Sequence, residues 1–364
     1  MLKTSLFPLL CSFPRPKFDD RSRIDLLLAK IIHLFQNIPF ILGAQMERRE
    51  TGRGELAKQK NQQQLDKKEN QFCEIDTLYC SDIDVIYNKD TANFQFRTIR
   101  ALSKDFGVFD ELKRGVAQLH TYKQLNQYIF SFGLMHEEKL KQAYQAIFEK
   151  SHLDLNGQNI EVIDYGCGQG LGAICLLDYI KFRTNLNCVV AKVKLIEPSK
   201  LALSRAALHV KYSLRGINQS ENIHTLNKEL DYLLEDDLAT NNSSVKIHIF
   251  SNIIDIQNFE LKSLSQKIIK SQKGINIFVC VSPNISSNSN HRLDNFQYYV
   301  ARAGNLTLIS YRQTDIDNPS DANKPWSRYE RVFKVYIDHK QNETSILLNA
   351  NKTAYILDEN DIPY

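Results

Sequence analysis

The residues best suited to chemistry lie together in Asp164-Tyr165-Gly166-Cys167-Gly168-Gln169-Gly170, where an acid is followed by three glycines at alternate positions. Glycines let a backbone turn tightly and approach a ligand closely, because no Cβ stands in the way. The stretch follows the apolar run Glu161-Val162-Ile163 and precedes a helical run from Leu171 to Tyr179, so it predicts a strand-to-helix turn. Open α/β sheets bind ligands at the carboxyl ends of their strands. A dinucleotide fingerprint requires Gly-x-Gly-x-x-Gly, but here position 171 is Leu and the third glycine comes one residue early. An anionic pyrophosphate would also be poorly served by Asp164, which puts a nicotinamide oxidoreductase last among the candidate functions. A second acid, Glu197, ends the next apolar run, Val193-Lys194-Leu195-Ile196. A carboxylate there has the acceptor geometry for a pair of hydroxyls.

These groups need a frame to position them. Residues 73–110 are mixed, with short strands or turns around Ile83 to Tyr87. From about 111 to 150 the pattern is helical, with apolar residues at three- and four-residue steps in Tyr122 to Ile129 and Leu140 to Phe148. Gly133 predicts a break between two helices. Strands are then expected near 160–165, 189–197, 222–227, 245–251, 274–282, 305–312 and 328–338, with helices over 170–182, 199–214, 229–236, 258–271 and 292–303. Alternating strands and helices build a parallel sheet with crossover helices. No helix separates the last two strands, which suggests an antiparallel hairpin at the sheet edge. The expected fold is α/β: a doubly wound, seven-stranded, mostly parallel sheet with that hairpin, plus an N-terminal, mainly helical extension. The expected organisation is a loose segment over 1–72, a helical accessory or lid region over 73–150, a Rossmann-like domain over 151–340 and a tail over 341–364.

The run Asp164-x-Gly166-x-Gly168-x-Gly170, set between a strand and a helix, resembles the first motif of the class I, Rossmann-like, S-adenosylmethionine-dependent methyltransferases. The resemblance covers about residues 120–338. It implies that the loop around Gly166, Cys167, Gly168 and Gly170 wraps the methionine and ribose part of S-adenosylmethionine, and that Asp164 orders the loop and reaches the amino group through water. It implies that Glu197 accepts hydrogen bonds from both ribose hydroxyls. After the third strand Asn227, Glu229 and Asp231 compete to meet the adenine, and Asp231 is preferred. Ser199 is a plausible cap for the helix after Glu197.

After the fourth strand the sequence reads Ser251-Asn252-Ile253-Ile254-Asp255, without the Asn/Asp-Pro-Pro-aromatic motif of the amino-methyltransferases. That departure disfavours base or glutamine amide methylation and is closer to small-molecule methyltransferases. The resemblance places Asn252 near the methionine part of the cofactor and leaves Asp255 as the nearby group able to act as a general base. Asp255 reads equally well as a cap of the following helix. Asn284, His291 and Arg292 are candidates to face the acceptor, although the stretch also reads as a plain polar loop. Upstream, Tyr128 and His136 stand out for substrate contact within an aromatic-rich segment whose spacing also suits core packing. No metal is required for such a transfer.

The 364 residues carry 43% hydrophobic and 24% charged residues, ordinary values for a globular protein. The net charge is +4, with 13 basic and 8 acidic residues in 1–72 and 33 against 34 in the remainder. A nearly neutral catalytic part gives nucleic acid as a partner no support, since a nucleic-acid footprint normally shows as a basic face. The seven cysteines, at 11, 73, 80, 167, 175, 188 and 280, lack zinc-type spacing and read as reduced thiols of a cytoplasmic protein. Residues 24–44 are apolar but interrupted by Asp25, Lys30, His33, Gln36, Asn37 and Pro39, a poor pattern for a membrane span. They read as an amphipathic helix, a packing helix or translated upstream sequence with the working start at Met46; the polar run 46–71 favours the last. The sequence therefore points to methyl transfer to an unidentified acceptor, a small molecule ahead of DNA. Its rivals are a non-catalytic scaffold of the same fold and an RNA- or ribosome-associated methyltransferase using the basic N-terminal segment as an arm.

Overall fold

A computed structural model describes residues 94–338, except 152, 216, 218–221, 285, 320 and 322. The expectations for 1–72, for Ile83 to Tyr87, for a start at Met46 and for the tail 341–364 lie outside the described residues, as do Cys11, Cys73 and Cys80. Among the described residues no helix is long and apolar enough to cross a membrane. The other four cysteines are free and buried.

The chain begins with α1 (Phe96–Leu102), a 3-10 turn (Phe109–Gly115) and the long α2 (Tyr122–Lys150). Then follow β1 (Asn159–Tyr165), α3 (Leu171–Arg183), β2 (Val189–Ile196), α4 (Lys200–Arg215) and β3 (Ile223–Leu226). A 3-10 turn (Leu230–Tyr232) and the single-turn α5 (Glu235–Leu238) lead to β4 (Val245–Ser251), α6 (Leu261–Ser271), β5 (Gly274–Ser282), α7 (Ser287–Ala301), β6 (Gly304–Arg312) and β7 (Tyr329–Ile337).

All seven expected strands form one sheet in the order β3-β2-β1-β4-β5-β7-β6. The first five run parallel, while β7 lies antiparallel between β5 and β6. β1 and β4 are buried almost throughout, as expected of central parallel strands covered on both faces. Successive side chains point to opposite faces, so Val162 and Ile247 join the apolar layer under α2, α3 and α4. Ile163, Tyr165 and Phe250 join the layer under α6 and α7. On that second face Tyr165 stacks on Phe250 and Phe278 on Phe333, with ring centroids 4.3 and 5.0 Å apart. Such cross-strand aromatic pairs fix the register. The order reverses at β1, whose neighbours are β2 and β4, and the crevice this opens at the carboxyl ends is where such sheets take ligands.

Two local expectations are corrected. Gly133 does not break the helix, since α2 runs through it for 29 residues. A Cβ at Gly133 would stand 3.0 Å from Phe96 Cζ and 3.4 Å from Ile129 Cγ2, so the glycine permits close approach of α1. The start of α2 is instead fixed by a capping box: Thr121 Oγ1 accepts from Gln124 N, and Gln124 Oε1 accepts from Thr121 N. The helix expected over 229–236 is split into the 3-10 turn and α5. Leu233 and Leu234 between them are extended, and Asp237 accepts from Leu234 N while pairing with Lys228 at 2.7 Å. Capping α5 in this way offsets the lost helical hydrogen bonds.

Replacing Gly133 by Val removes a poor helix former, yet is expected to lower stability by about 1–3 kcal/mol through overpacking against Phe96. A urea unfolding midpoint that rises instead would show that α1 does not press on α2.

Candidate functional site

The loop after β1 is left-handed at each of its three glycines, with φ of 58° at Gly166, 53° at Gly168 and 83° at Gly170. This conformation costs other residues about 1–2 kcal/mol apiece. A Cβ at Gly170 would meet the Ala206 backbone at 3.2 Å, and one at Gly166 would lie 2.7 Å from Ile253 Cδ1, whereas one at Gly168 would meet open space. Cys167 N donates to Ile196 O and Gly170 N to Cys167 O, at 2.9 and 2.7 Å, closing the turn across the end of β2. Gln169 was not singled out by the sequence. Its side chain is buried and donates to Leu125 O of α2, and its carbonyl is hydrogen-bonded to the His209 ring, tying the loop to two helices.

Asp164 is fully buried at the end of β1. Its Oδ2 accepts from Ala173 N at 2.9 Å in the first turn of α3, where the helix N-terminus favours negative charge. Gly172 makes room for it, since a Cβ there would stand 2.8 Å from Oδ2. Burial nevertheless lifts the carboxyl pKa to about 7, the Ala173 amide opposing and Glu197 adding to the rise. The other oxygen, Oδ1, has no hydrogen-bond partner.

Glu197 is 8% exposed just past β2. Its Oε2 accepts from Gly168 N at 3.0 Å and its Oε1 from Ser199 N at 2.8 Å. Burial raises its pKa, and the two amides pull it back. Each carboxylate oxygen retains acceptor capacity beyond its amide. Ser199 caps α4, its Oγ accepting from Ala202 N and donating to Leu119 O. Asn227 donates to Glu197 O and Pro198 O, so it braces the backbone behind Glu197.

A cavity of about 140 Å³ opens over this rim. It is lined by Gly166, Gly168, Glu197, Glu229, Asp231, Asn252 and Phe259, together with Tyr128 of α2 and residues 115–119. An adjoining hollow of about 30 Å³ is lined by Tyr128, His136, Asp164, Gly166, Cys167, Gly168 and Ser251 among others. A hollow of about 230 Å³ lies between Arg97, Glu137 and Asp178 and shares none of these residues.

The structure thus gathers Tyr128, His136, Asp164, Gly166, Cys167, Gly168, Glu197, Asp231 and Asn252 around two adjoining cavities. Asp231 faces the larger one, although its Oδ1 also accepts from Glu260 N before α6. Asn252 has a φ of 54°, donates N–H to Val281 O at 2.7 Å and its amide to the His136 ring at 3.0 Å. Its Oδ1 is buried without a partner. Burial, aided by Lys139, lowers the His136 pKa to about 3, so the imidazole is neutral at ordinary pH. Tyr128 stands within reach of two acids: after burial, Glu197 and Asp255 are what raise its phenol pKa.

Gly170 lines neither cavity and packs against α4. Asp255 also lines neither cavity. It does not cap α6, whose N-cap is Glu260, and instead accepts from Ser282 Oγ at 2.8 Å at the end of β5. Arg292 is spent on Ile254 O and Phe259 O, Asn284 accepts from Asn290, and His291 is exposed. The sequence did not point to residues 115–119, Leu230 or Phe259, which line the cavity through loop geometry that no spacing encodes.

The sequence matches no known family model and no curated protein. Structural likenesses include PH1948 from Pyrococcus horikoshii, provisionally assigned as an RNA methyltransferase, at 12% identity and a TM-score of 0.36, covering 65% of this chain and 99% of that one. The mitomycin 7-O-methyltransferase MmcR is similar at 11% identity and 0.35, covering 68% and 62%. The N-methyltransferase NodS from Bradyrhizobium japonicum WM9 is similar at 10% identity and 0.34, covering 57% and 99%.

Gly168→Ala and Gly170→Ala share the left-handed strain of about 1–2 kcal/mol, but only Gly170→Ala also presses tightly on the Ala206 backbone of α4, at 3.2 Å. The larger loss of thermal stability is expected for Gly170→Ala, and equal losses would show that the loop does not bear on Ala206. By its strand order, its antiparallel β7 and the acid-glycine loop at the end of β1, the domain has a Rossmann-like α/β fold, with a mostly parallel seven-stranded sheet and an antiparallel edge pair.

Proposed function

We propose that the cavity of about 140 Å³ over the glycine loop binds S-adenosylmethionine and that the protein transfers its methyl group to an unidentified acceptor, a small molecule in preference to DNA. The observation that carries this reading is the Glu197 carboxylate, buried beside a left-handed glycine loop and held by the Gly168 and Ser199 amides. That arrangement suits a ligand offering paired hydroxyls. The residues fit the cofactor in two further ways. Asp164 Oδ1 and Asn252 Oδ1 are buried acceptors without partners, and a cationic amino group satisfies acceptors of this kind. Asp231, across the cavity, suits the adenine amine.

When bound, the cofactor supplies a methyl group on a positively charged sulfur. The protein's own work is then to align donor and acceptor and to keep water out, effects worth several kcal/mol of barrier. Tyr128 and His136 on α2 cover the site, and the neutral imidazole is held by the Asn252 amide. Asp255 is the residue proposed to take a proton from an acceptor that must lose one.

Calorimetric titration with S-adenosylmethionine and S-adenosylhomocysteine tests the assignment. Wild type is expected to bind both, and Glu197→Ala to lose at least about 1.5 kcal/mol, the value of a hydrogen bond to a charged group. Absence of binding by wild type would leave a scaffold protein of this fold.

Proton linkage gives a second readout. In the empty protein the Asp164 carboxyl, raised from 3.8 to about 7, contributes stability that is present below the lower value and lost as pH rises through the upper. A cationic ligand near Asp164 favours the ionised form, so binding should release protons near neutral pH and strengthen as pH rises through that window. Titrations in buffers of differing ionisation enthalpy measure the release, and Asp164→Asn should abolish it. Proton release unchanged in that variant would remove Asp164 from the site.

A further inference from the structure

Residues that line a cavity and are also exposed mark where it opens, and over the glycine loop these include Val116, Gln118, Glu229 and Asp231. Apolar surface continues outward from this mouth. Val116 is 57% exposed although it belongs to the lining. The ring of Tyr128, also in the lining, lies 5.3 Å from that of Phe132, which in turn lies 5.6 Å from that of Phe109 at the start of the first 3-10 turn. Phe109 is 50% exposed. Gly115 packs against the inner two rings, since a Cβ there would stand 3.5 Å from Tyr128 Cε2 and 3.7 Å from Phe132 Cε2. Three aromatic rings thus lead from the cavity lining to solvent, and apolar surface left open beside a cleft is characteristic of a recognition surface.

The charge of the same site is one-sided. Among the described side chains, the lining of the two adjoining cavities holds four carboxylates, Asp164, Glu197, Glu229 and Asp231, and neither Lys nor Arg. Its one histidine, His136, is neutral. Lys267 meets the lining through the backbone, its Nζ donating to Asp231 O at 2.6 Å. The reading above gives Asp164, Glu197 and Asp231 to the cofactor, which leaves Glu229, exposed at the mouth and not capping the turn that follows it. An anionic acceptor would be repelled here with no counter-charge to receive it, and a neutral one would gain from the rings alone. An ammonium gains from both, being attracted to carboxylates and to the faces of aromatic rings. We propose, resting on the methyl-transfer reading, that the acceptor is a lipophilic cation: an amine on an aromatic or other apolar body, with the body along Val116 and the ladder of Phe109, Phe132 and Tyr128 and the charge toward Glu229.

Three probes that share one ring and differ in charge test this: para-fluorophenethylamine, para-fluorophenethyl alcohol and para-fluorophenylacetate, followed by fluorine NMR line broadening on protein saturated with S-adenosylhomocysteine. The amine is expected to bind about fivefold more tightly than the alcohol, as for a partly exposed charge pair with a ring beside it, and the acid more weakly than either. Added salt should narrow the gap. Glu229→Gln should bring the amine to the level of the alcohol, whereas Phe109→Ala should weaken both by a similar factor and keep their order. Both side chains are exposed, so neither substitution endangers folding. Any other order of the three probes, no binding of the amine, an amine preference untouched by Glu229→Gln, or affinities indifferent to Phe109→Ala overturns the proposal. Binding of S-adenosylhomocysteine by wild type is measured first, so that its failure registers against the cofactor reading separately from the acceptor.

Discussion

A buried carboxylate holding two loops at once is the constraint on which the site depends. Glu197 gathers the amide of Gly168 from the loop after β1 and the amide of Ser199 at the start of α4. Each such bond to a charged acceptor contributes about 1.5–3 kcal/mol, and without them the acid would be a buried charge that the fold could not tolerate. The bonds also fix geometry. The amide of Gly168 can reach Glu197 only because the glycine backbone is left-handed there, which ties the conformation of one loop to the end of the neighbouring strand.

Around that centre the polar groups fall into two kinds. Asn227, Arg292, Asn284 and Gln169 are largely satisfied within the protein and act as braces. Asp164 Oδ1, Asn252 Oδ1 and Lys139 Nζ are buried and unsatisfied. Native proteins keep few such atoms, because each costs about 1–3 kcal/mol. Of the three residues, Asp164 and Asn252 line the two adjoining cavities.

The covering helix links the fold to the site. α2 is fastened to α3 by Tyr144, whose hydroxyl donates to Gly172 O at 2.7 Å, and by Phe148 stacked on Tyr179 at 5.4 Å. The same helix presents Tyr128 and His136 to the adjoining cavities, so packing on one part of its surface places polar groups on another. The close approach of Phe96 at Gly133 belongs to this fastening.

Much of this was legible in the chain because it depends on neighbours in sequence. The seven strands follow from apolar runs bounded by turn residues, and the glycine loop follows from three residues whose conformational freedom is a property of their own backbone. The acid at 197 is visible because strand and loop end together. Other features arise only from contacts distant in sequence. Gly133 reads locally as a breaker, and only Phe96, packed from another helix, makes it an allowance for close approach. Asp255 reads locally as a cap, and only Ser282, brought alongside by the β4–β5 pairing, gives it another partner. Lys139 sits unremarked in a helical pattern, since sequence shows charge but not burial. What the sequence determined is therefore the frame and the loop, which local stereochemistry dictates; what the tertiary structure decided is which polar groups are satisfied, because that depends on partners folding brings from afar.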